Sequence, residues 1–82
     1  MSESGHDLQH AFPDDGATLH ALKLGSDHYR KLAGQHHDLT QAISRIEAGL
    51  DAASDDRLEI LKKNRLGILD EIAELIAARK AA

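Results

Sequence analysis

Histidine is the residue with the clearest chemical potential in this sequence, and six histidines occur among its 82 residues. His6 and His10 are four residues apart, a spacing that would place both rings on one face of a helix. A metal site needs three or four converging ligands, however, and the chain has neither cysteine nor an HExxH motif. We therefore expect no bound metal and no other cofactor. The alternative function that the histidines leave open is a metal-binding or pH-responsive module, in which His36 would be the pH-sensitive group because burial opposes its protonation.

Enzymatic chemistry has less support in the sequence. The glycines are isolated, so they form no phosphate-binding loop, and no nucleophile elbow is present. Asp70 and Glu71 are adjacent, which on a helix would point their carboxylates about 100° apart. That arrangement is typical of a solvated face rather than of an acid–base pair. We predict that the protein is not an enzyme and has no catalytic or cofactor-binding residues.

Composition narrows the classes of partner. A net charge of −4 argues against binding to a phosphate backbone, and two aromatic residues, Phe12 and Tyr29, provide no stacking platform for single-stranded nucleic acid. No segment approaches the roughly 20 apolar residues that cross a bilayer, and the first residues lack the apolar run of a secretory signal. The absence of cysteine suits a reducing compartment. We expect a cytoplasmic protein with no nucleic-acid partner and no membrane partner.

The elements that would position these residues are helices. Apolar positions recur at alternating spacings of three and four residues, the pattern of helices that pack along their length. The predicted seam consists of Tyr29, Leu32, His36, Leu39, Ile43 and Ile46 in one stripe and Leu58, Leu61, Arg65, Ile68, Ile72 and Leu75 in the next. Because only a short break separates the stripes, they predict an all-α fold: an antiparallel, coiled-coil-like hairpin of two helices.

The remaining segments complete the predicted organisation. Residues 1–13 are polar and are predicted to be a mobile N-terminal arm, in which Leu8 and Phe12 are expected to be exposed, or else to form a small apolar face. Residues 14–82 are predicted to be the hairpin domain. It contains a short helix at about 14–24 and long helices at about 26–49 and 55–80, with Ser26 and Ser54 as N-caps of the long helices.

Two features of the second long helix have alternative interpretations. Arg65 interrupts the seam, and we expect its stem to pack while its guanidinium reaches water; the alternative is an ion pair with an acid such as Glu47. A second apolar stripe lies beside the seam and comprises Leu66, Leu69, Ala73 and Ile76. This stripe is either part of one wide core face or a contact with the short helix or with a second copy of the chain. We favour self-association, because a lone hairpin would leave a long apolar patch in water.

Short motifs follow one another in a recognisable order from Phe12 onward. They are Phe12-Pro13, Leu19-His20-x-Leu22-Lys23, His28-Tyr29, His37-Asp38-Leu39, Arg45-Ile46-Glu47 and Arg65-Leu66-x-Ile68-x-Asp70-Glu71-Ile72. This order resembles the YdcH-like family of small bacterial proteins, also called the domain of unknown function 465. The resemblance implies a helical hairpin and no established activity, so it brings no catalytic residues. The family pattern has lysine where this chain has Leu69, an exchange that would widen an apolar contact.

From the residues and the resemblance together we predict a non-enzymatic helical hairpin. It would act by packing one of its helices against another, in a homo-oligomer or on a helical partner protein. The stripe of Leu66, Leu69, Ala73 and Ile76 is the candidate partner or oligomer face. The biological process, the identity of any partner and the stoichiometry stay open at this point.

Overall fold

A computed structural model describes residues 8–81 of the chain, and within that range it contains helices and no strand. Residues 8–11 are helical, and three longer helices follow: α1 (Gly16–Gly25), α2 (Asp27–Glu47) and α3 (Asp55–Ala81). The two long helices, α2 and α3, pack against each other, and the described chain measures 44 × 25 × 22 Å. The predicted all-α hairpin with a short N-terminal helix is confirmed.

The long helices begin where the sequence supplies caps. The Ser26 hydroxyl accepts a hydrogen bond from the Tyr29 amide at 3.0 Å, and the Ser54 hydroxyl accepts one from the Arg57 amide at 3.1 Å. Such caps satisfy amides that have no partner inside the helix. Ser26 is also the one residue between α1 and α2, and its extended backbone (φ −134°, ψ 111°) ends one helix and redirects the chain into the next.

The reversal between α2 and α3 depends on Gly49, whose φ of +79° lies in the left-handed region that glycine adopts without steric cost. The next amide, that of Leu50, donates to the Arg45 carbonyl at 2.9 Å, which closes the end of α2 as a C-cap. The Arg45 guanidinium then donates to both carboxylate oxygens of Asp51, at 2.9 and 3.1 Å. Local hydrogen bonds therefore hold the reversal.

The core lies at the end of the hairpin opposite this reversal. Its buried members are Leu8, Leu19, Leu22, Tyr29, Leu32, Ala33, Ile72 and Ile76. Phe12, Ile68, Leu69 and Leu75 are partly buried against them. We call residues 8–25 the N-terminal layer, because their apolar side chains form a third layer on α2 and α3.

The expectation that Leu8 and Phe12 are exposed is wrong. Leu8 is 0% exposed and Phe12 is partly buried in the same core. The polar residues around Leu8 suggested a solvated arm, but its side chain removes apolar surface from water by packing into the core. Of the predicted arm, residues 1–7 lie outside the described residues.

Polar contacts attach the N-terminal layer at both of its ends. Asp15, just before α1, forms an ion pair with Lys80 in the last turn of α3. At the other end, the Arg30 guanidinium donates to the Lys23 carbonyl at 2.6 Å and pairs with Asp27. These contacts link α1 to α3 and to α2, so the short helix is held over the C-terminal half of α3.

Candidate docking face

All twelve predicted seam residues are buried or partly buried. Six are buried, namely Tyr29, Leu32, His36, Ile43, Leu61 and Ile72, and six are partly buried, namely Leu39, Ile46, Leu58, Arg65, Ile68 and Leu75. The acid that Arg65 was considered to pair with, Glu47, instead pairs with Lys62 at 3.0 Å across α2 and α3. Arg65 therefore occupies the seam without that ion pair.

The four residues of the predicted partner face lie in two different environments. Ile76 is 5% exposed and Leu69 is partly buried, and both belong to the chain's own core. Leu66, in contrast, is 59% exposed, and Ala73 is exposed as well. The helical rotation of 100° per residue explains the division, since Ile76 lies one turn beyond the buried Ile72 and shares its side of α3.

Leu66 and Ala73 are seven residues apart, so they lie along one line on the outer surface of α3. Charged residues accompany them: Lys63 comes three residues before Leu66, and Asp70 comes four residues after it. All four side chains are exposed. We call Lys63, Leu66, Asp70 and Ala73 the docking face.

The electrostatics of this face are unsatisfied within the part of the chain that the structure describes. The ion pairs among residues 8–81 leave out both Lys63 and Asp70. Lys63 and Leu66, together with Glu59 and Lys62, line a shallow depression of about 210 Å³ on the surface of α3. An exposed leucine beside charged groups that lack a protein counterion can contact a second protein surface by both apolar and ionic means.

A larger groove of about 650 Å³ lies between α2 and α3, and it adjoins the docking face because Lys63 lines it. Its lining residues are Gln35, Asp38, Leu39, Lys63, Asn64, Gly67, Ile68 and Glu71. Gly67 leaves this groove open, because a Cβ at that position would have no heavy atom within 4 Å. The lining thus combines acidic, basic and amide groups with the apolar side chains of Leu39 and Ile68.

The histidines are distributed over several environments. His6 lies outside the described residues, and His10 is exposed. His36 is 5% exposed on the seam side of α2, while its neighbour His37 is partly buried. Among residues 8–81, no group of three or more histidine, aspartate or glutamate side chains could hold a metal ion. The expectation that His6 and His10 share one face of a helix involves His6 and so lies outside the described residues.

Two regions contain groups with shifted pKa values. The hydrogen bond from Arg45 lowers the pKa of the Asp51 carboxyl, and the same contact raises the pKa of Arg45. In the core, burial raises the pKa of the Tyr29 phenol, because a buried phenolate would lose its hydration. Neither region contains a pair of groups arranged for acid–base chemistry.

A family model described as "Protein of unknown function (DUF465)" matches residues 30–76, which is more than half of the chain. The chain belongs to the DUF465 family. The predicted resemblance to the YdcH-like proteins is thereby confirmed. In this DUF465 chain the matched range contains most of α2, the reversal, most of α3 and the whole docking face, whereas α1 precedes it. No curated protein and no solved structure matches the chain.

Sequence reasoning did not identify the contribution of residues 8–12 to the core of this DUF465 protein. The available signal was the spacing of Leu8 and Phe12, four residues apart, followed by Leu19 and Leu22 on the short helix. Those four positions together supply an apolar surface large enough to cover Leu69 and Ile76. Within residues 8–81, none of the helices has the length and apolar character needed to cross a bilayer.

Proposed function

We propose that this DUF465 chain is a binding module that docks onto another protein helix through the docking face of α3. The proposed role is binding without catalysis. The observation that supports it is Leu66, which is 59% exposed near the middle of a 27-residue helix, while the next large apolar residues along that helix, Ile68 and Leu69, are partly buried. Leaving a large aliphatic side chain in water forgoes burial worth about 1.5–3 kcal/mol, which a docked helix would recover.

The position of Leu66 along α3 also supports the proposal. The N-terminal layer covers Leu69 and Ile76, toward the C-terminal end of α3. Leu66 lies about one turn before Leu69, on the N-terminal side of the part of α3 that the N-terminal layer covers. An incoming helix could therefore lie along the outer surface of α3 without displacing α1. Alanine at position 73 would let the two backbones approach closely, since it projects little from the helix surface.

A photo-crosslinking amino acid at position 73 tests the proposal in cells that produce the protein. We expect crosslinks from position 73, because the exposed Ala73 side chain would lie at the edge of the docked helix. The matched control carries the same crosslinker at Gln41, which is exposed on α2. A second control combines the position-73 crosslinker with Leu66→Lys, which removes the central apolar contact while leaving an exposed helical position that tolerates lysine.

Crosslinking that is specific to position 73 and at least about fivefold weaker with Leu66→Lys would support docking through this face; that ratio corresponds to about 1 kcal/mol. Equal crosslinking from positions 73 and 41, or crosslinking that does not respond to Leu66→Lys, would contradict it. Circular dichroism of each variant checks that the hairpin is folded.

A further inference from the structure

We propose that the helix that occupies the docking face is α3 of a second copy of this chain, in antiparallel orientation across a two-fold axis near Leu66. This inference rests on the proposed function, because it names the partner of the same face. Three features of α3 support it. They are the order of its charges, the absence of counterions for Lys63 and Asp70 within the described chain, and the small exposed apolar row of Leu66 and Ala73.

The charges on either side of Leu66 have opposite signs and nearly equal offsets. At 1.5 Å per residue, Lys63 lies about 4.5 Å before Leu66 along the helix axis, and Asp70 lies about 6 Å after it. A two-fold axis at Leu66 reverses the second helix, so Lys63 of each copy faces Asp70 of the other copy. Because the contact is isologous, the same ion pair forms twice.

A parallel pair would have the opposite electrostatics. In that orientation, with no shift of the helices, Lys63 of one copy would lie level with Lys63 of the other and Asp70 level with Asp70, so neither charge would meet an opposite charge. Like charges placed opposite each other across an interface are disfavoured, whereas complementary charges set the orientation and register of the partners. The sequence of α3 therefore favours the antiparallel arrangement.

The chain itself leaves these charges available for a partner. Glu47 engages Lys62, the neighbour of Lys63, but no ion pair within residues 8–81 includes Lys63. On the acidic side, Asp70 and Glu74 are four residues apart on one face of α3, a spacing at which like charges repel slightly. A lysine from a second copy would relieve that repulsion, and neither Lys63 nor Asp70 would have to leave an ion pair formed within residues 8–81.

The apolar part of the proposed contact is small. Leu66 would meet Leu66 of the second copy at the axis, and Ala73 would allow close approach two turns away. Leu69 and Ile76 do not contribute, since they pack in the chain's own core. Interfaces of this size fall at the weak, transient end of protein association. We expect a reversible dimer that is measured best at protein concentrations up to about 1 mM.

A charge exchange tests the orientation directly. Lys63→Glu places two acids opposite each other in the proposed homodimer, and Asp70→Lys places two lysines opposite each other. Sedimentation equilibrium should show that each variant alone dimerises at least about tenfold more weakly than the unchanged chain. An equimolar mixture restores both ion pairs in a heterodimer, so its association should return to within about threefold of the unchanged chain. Lys31→Glu, an identical charge change at an exposed site on α2, is the matched control.

Recovery in the mixture would support the antiparallel contact. A dimer that ignores both charge changes would overturn it, because the copies would then meet through another surface. A chain that stays monomeric up to about 1 mM would also overturn it. Crosslinking from Ala73 to a different protein would in that case leave the proposed function standing. Loss of both the dimer and the Leu66-dependent crosslinks would contradict the two proposals together.

Discussion

The half of the hairpin beside the N-terminus has three layers of apolar side chains, whereas the half beside the reversal has only two helices. In the three-layer half, Leu8, Leu19 and Leu22 cover the N-terminal part of α2 and the C-terminal part of α3. In the two-helix half, Ile43 and Leu61 are buried in the seam, but Leu50 is 67% exposed and Ile60 is 51% exposed. Polar contacts that are largely exposed, such as Lys62 with Glu47, accompany the seam there.

Under the proposed function, this difference would place stability and binding in different parts of one helix. Apolar burial supplies most of the free energy of folding, and it is concentrated where the third layer exists. Exposed ion pairs contribute about 0–1 kcal/mol each, so they add little to the two-helix half. Leu66 lies at the boundary between the halves, where α3 is held by the core on one side and has an exposed apolar side chain on the other.

The largest expected effect is a loss of folding stability in the three-layer half, and the comparison between the halves depends on it. Ile72→Ala removes a side chain that is 0% exposed and should lower the free energy of unfolding by about 2–5 kcal/mol. Ile60→Ala makes the same change on the same helix at a site that is 51% exposed, and should alter that free energy by only about 0.5 kcal/mol. Urea denaturation followed by circular dichroism measures both. Similar losses for the two variants would show that the burial of Ile72 does not supply the stability of the three-layer half.

The next effect concerns the N-terminal layer. Leu8→Ala should cost about 2 kcal/mol, at the lower end of the range for buried leucines, because a short helical segment can partly close the cavity. Leu24→Ala is the matched control, since Leu24 is 71% exposed on α1. The measurement is again the midpoint of denaturation. If Leu8→Ala behaved like Leu24→Ala, residues 8–11 would not be part of the cooperative core.

A smaller effect is expected at alkaline pH, where the core should lose stability because it contains the buried Tyr29 phenol. Burial raises the pKa of the Tyr29 phenol, so the folded state holds this proton more tightly than the unfolded state does. The stabilisation is complete below the ordinary pKa of about 10 and is lost as the pH rises through the raised value in the folded protein. The Tm of the unchanged chain should therefore fall relative to that of Tyr29→Phe as the pH rises above about 10. A difference in Tm between the two proteins that stays constant over this pH range would contradict the prediction.

The smallest effect belongs to the reversal and occurs at acidic pH. The hydrogen bond from Arg45 lowers the pKa of the Asp51 carboxyl, so its contribution is present above the ordinary pKa of about 3.9. It is lost as the pH falls through the lowered value in the folded protein. Asp51→Asn should lower Tm slightly at pH 7, and that difference should vanish in strong acid. It should also shrink in 1 M salt, where the Debye length is about 3 Å. A difference that persists under both conditions would mean that the carboxylate charge is not its cause.

Local patterns in the sequence predicted much of what the structure contains. The stripes from Tyr29 to Ile46 and from Leu58 to Leu75 predicted two long packed helices, because apolar periodicity depends only on the geometry of the helix. Ser26 and Ser54 predicted the helix starts, since a cap bonds to an amide three residues away.

The candidate site was predictable in part. The sequence identified an extra apolar stripe on α3 but could not separate its exposed members, Leu66 and Ala73, from its covered members, Leu69 and Ile76. That separation depends on where the N-terminal layer ends, and nothing in the spacing of residues within α3 specifies it. The family membership added support for the hairpin, but the matched family has no known function to transfer.

The helical type of α1, α2 and α3 and the hairpin of α2 and α3 were thus determined by the sequence alone, because each follows from contacts within about four residues or from the short break between two stripes. The burial of Leu8, the ion pair of Asp15 with Lys80 and the division of the α3 stripe were decided only by the tertiary structure. Each of these joins residues more than fifty positions apart. Which of several apolar surfaces such distant segments cover is set by the packing of the whole chain, and so is the apolar surface that is left exposed.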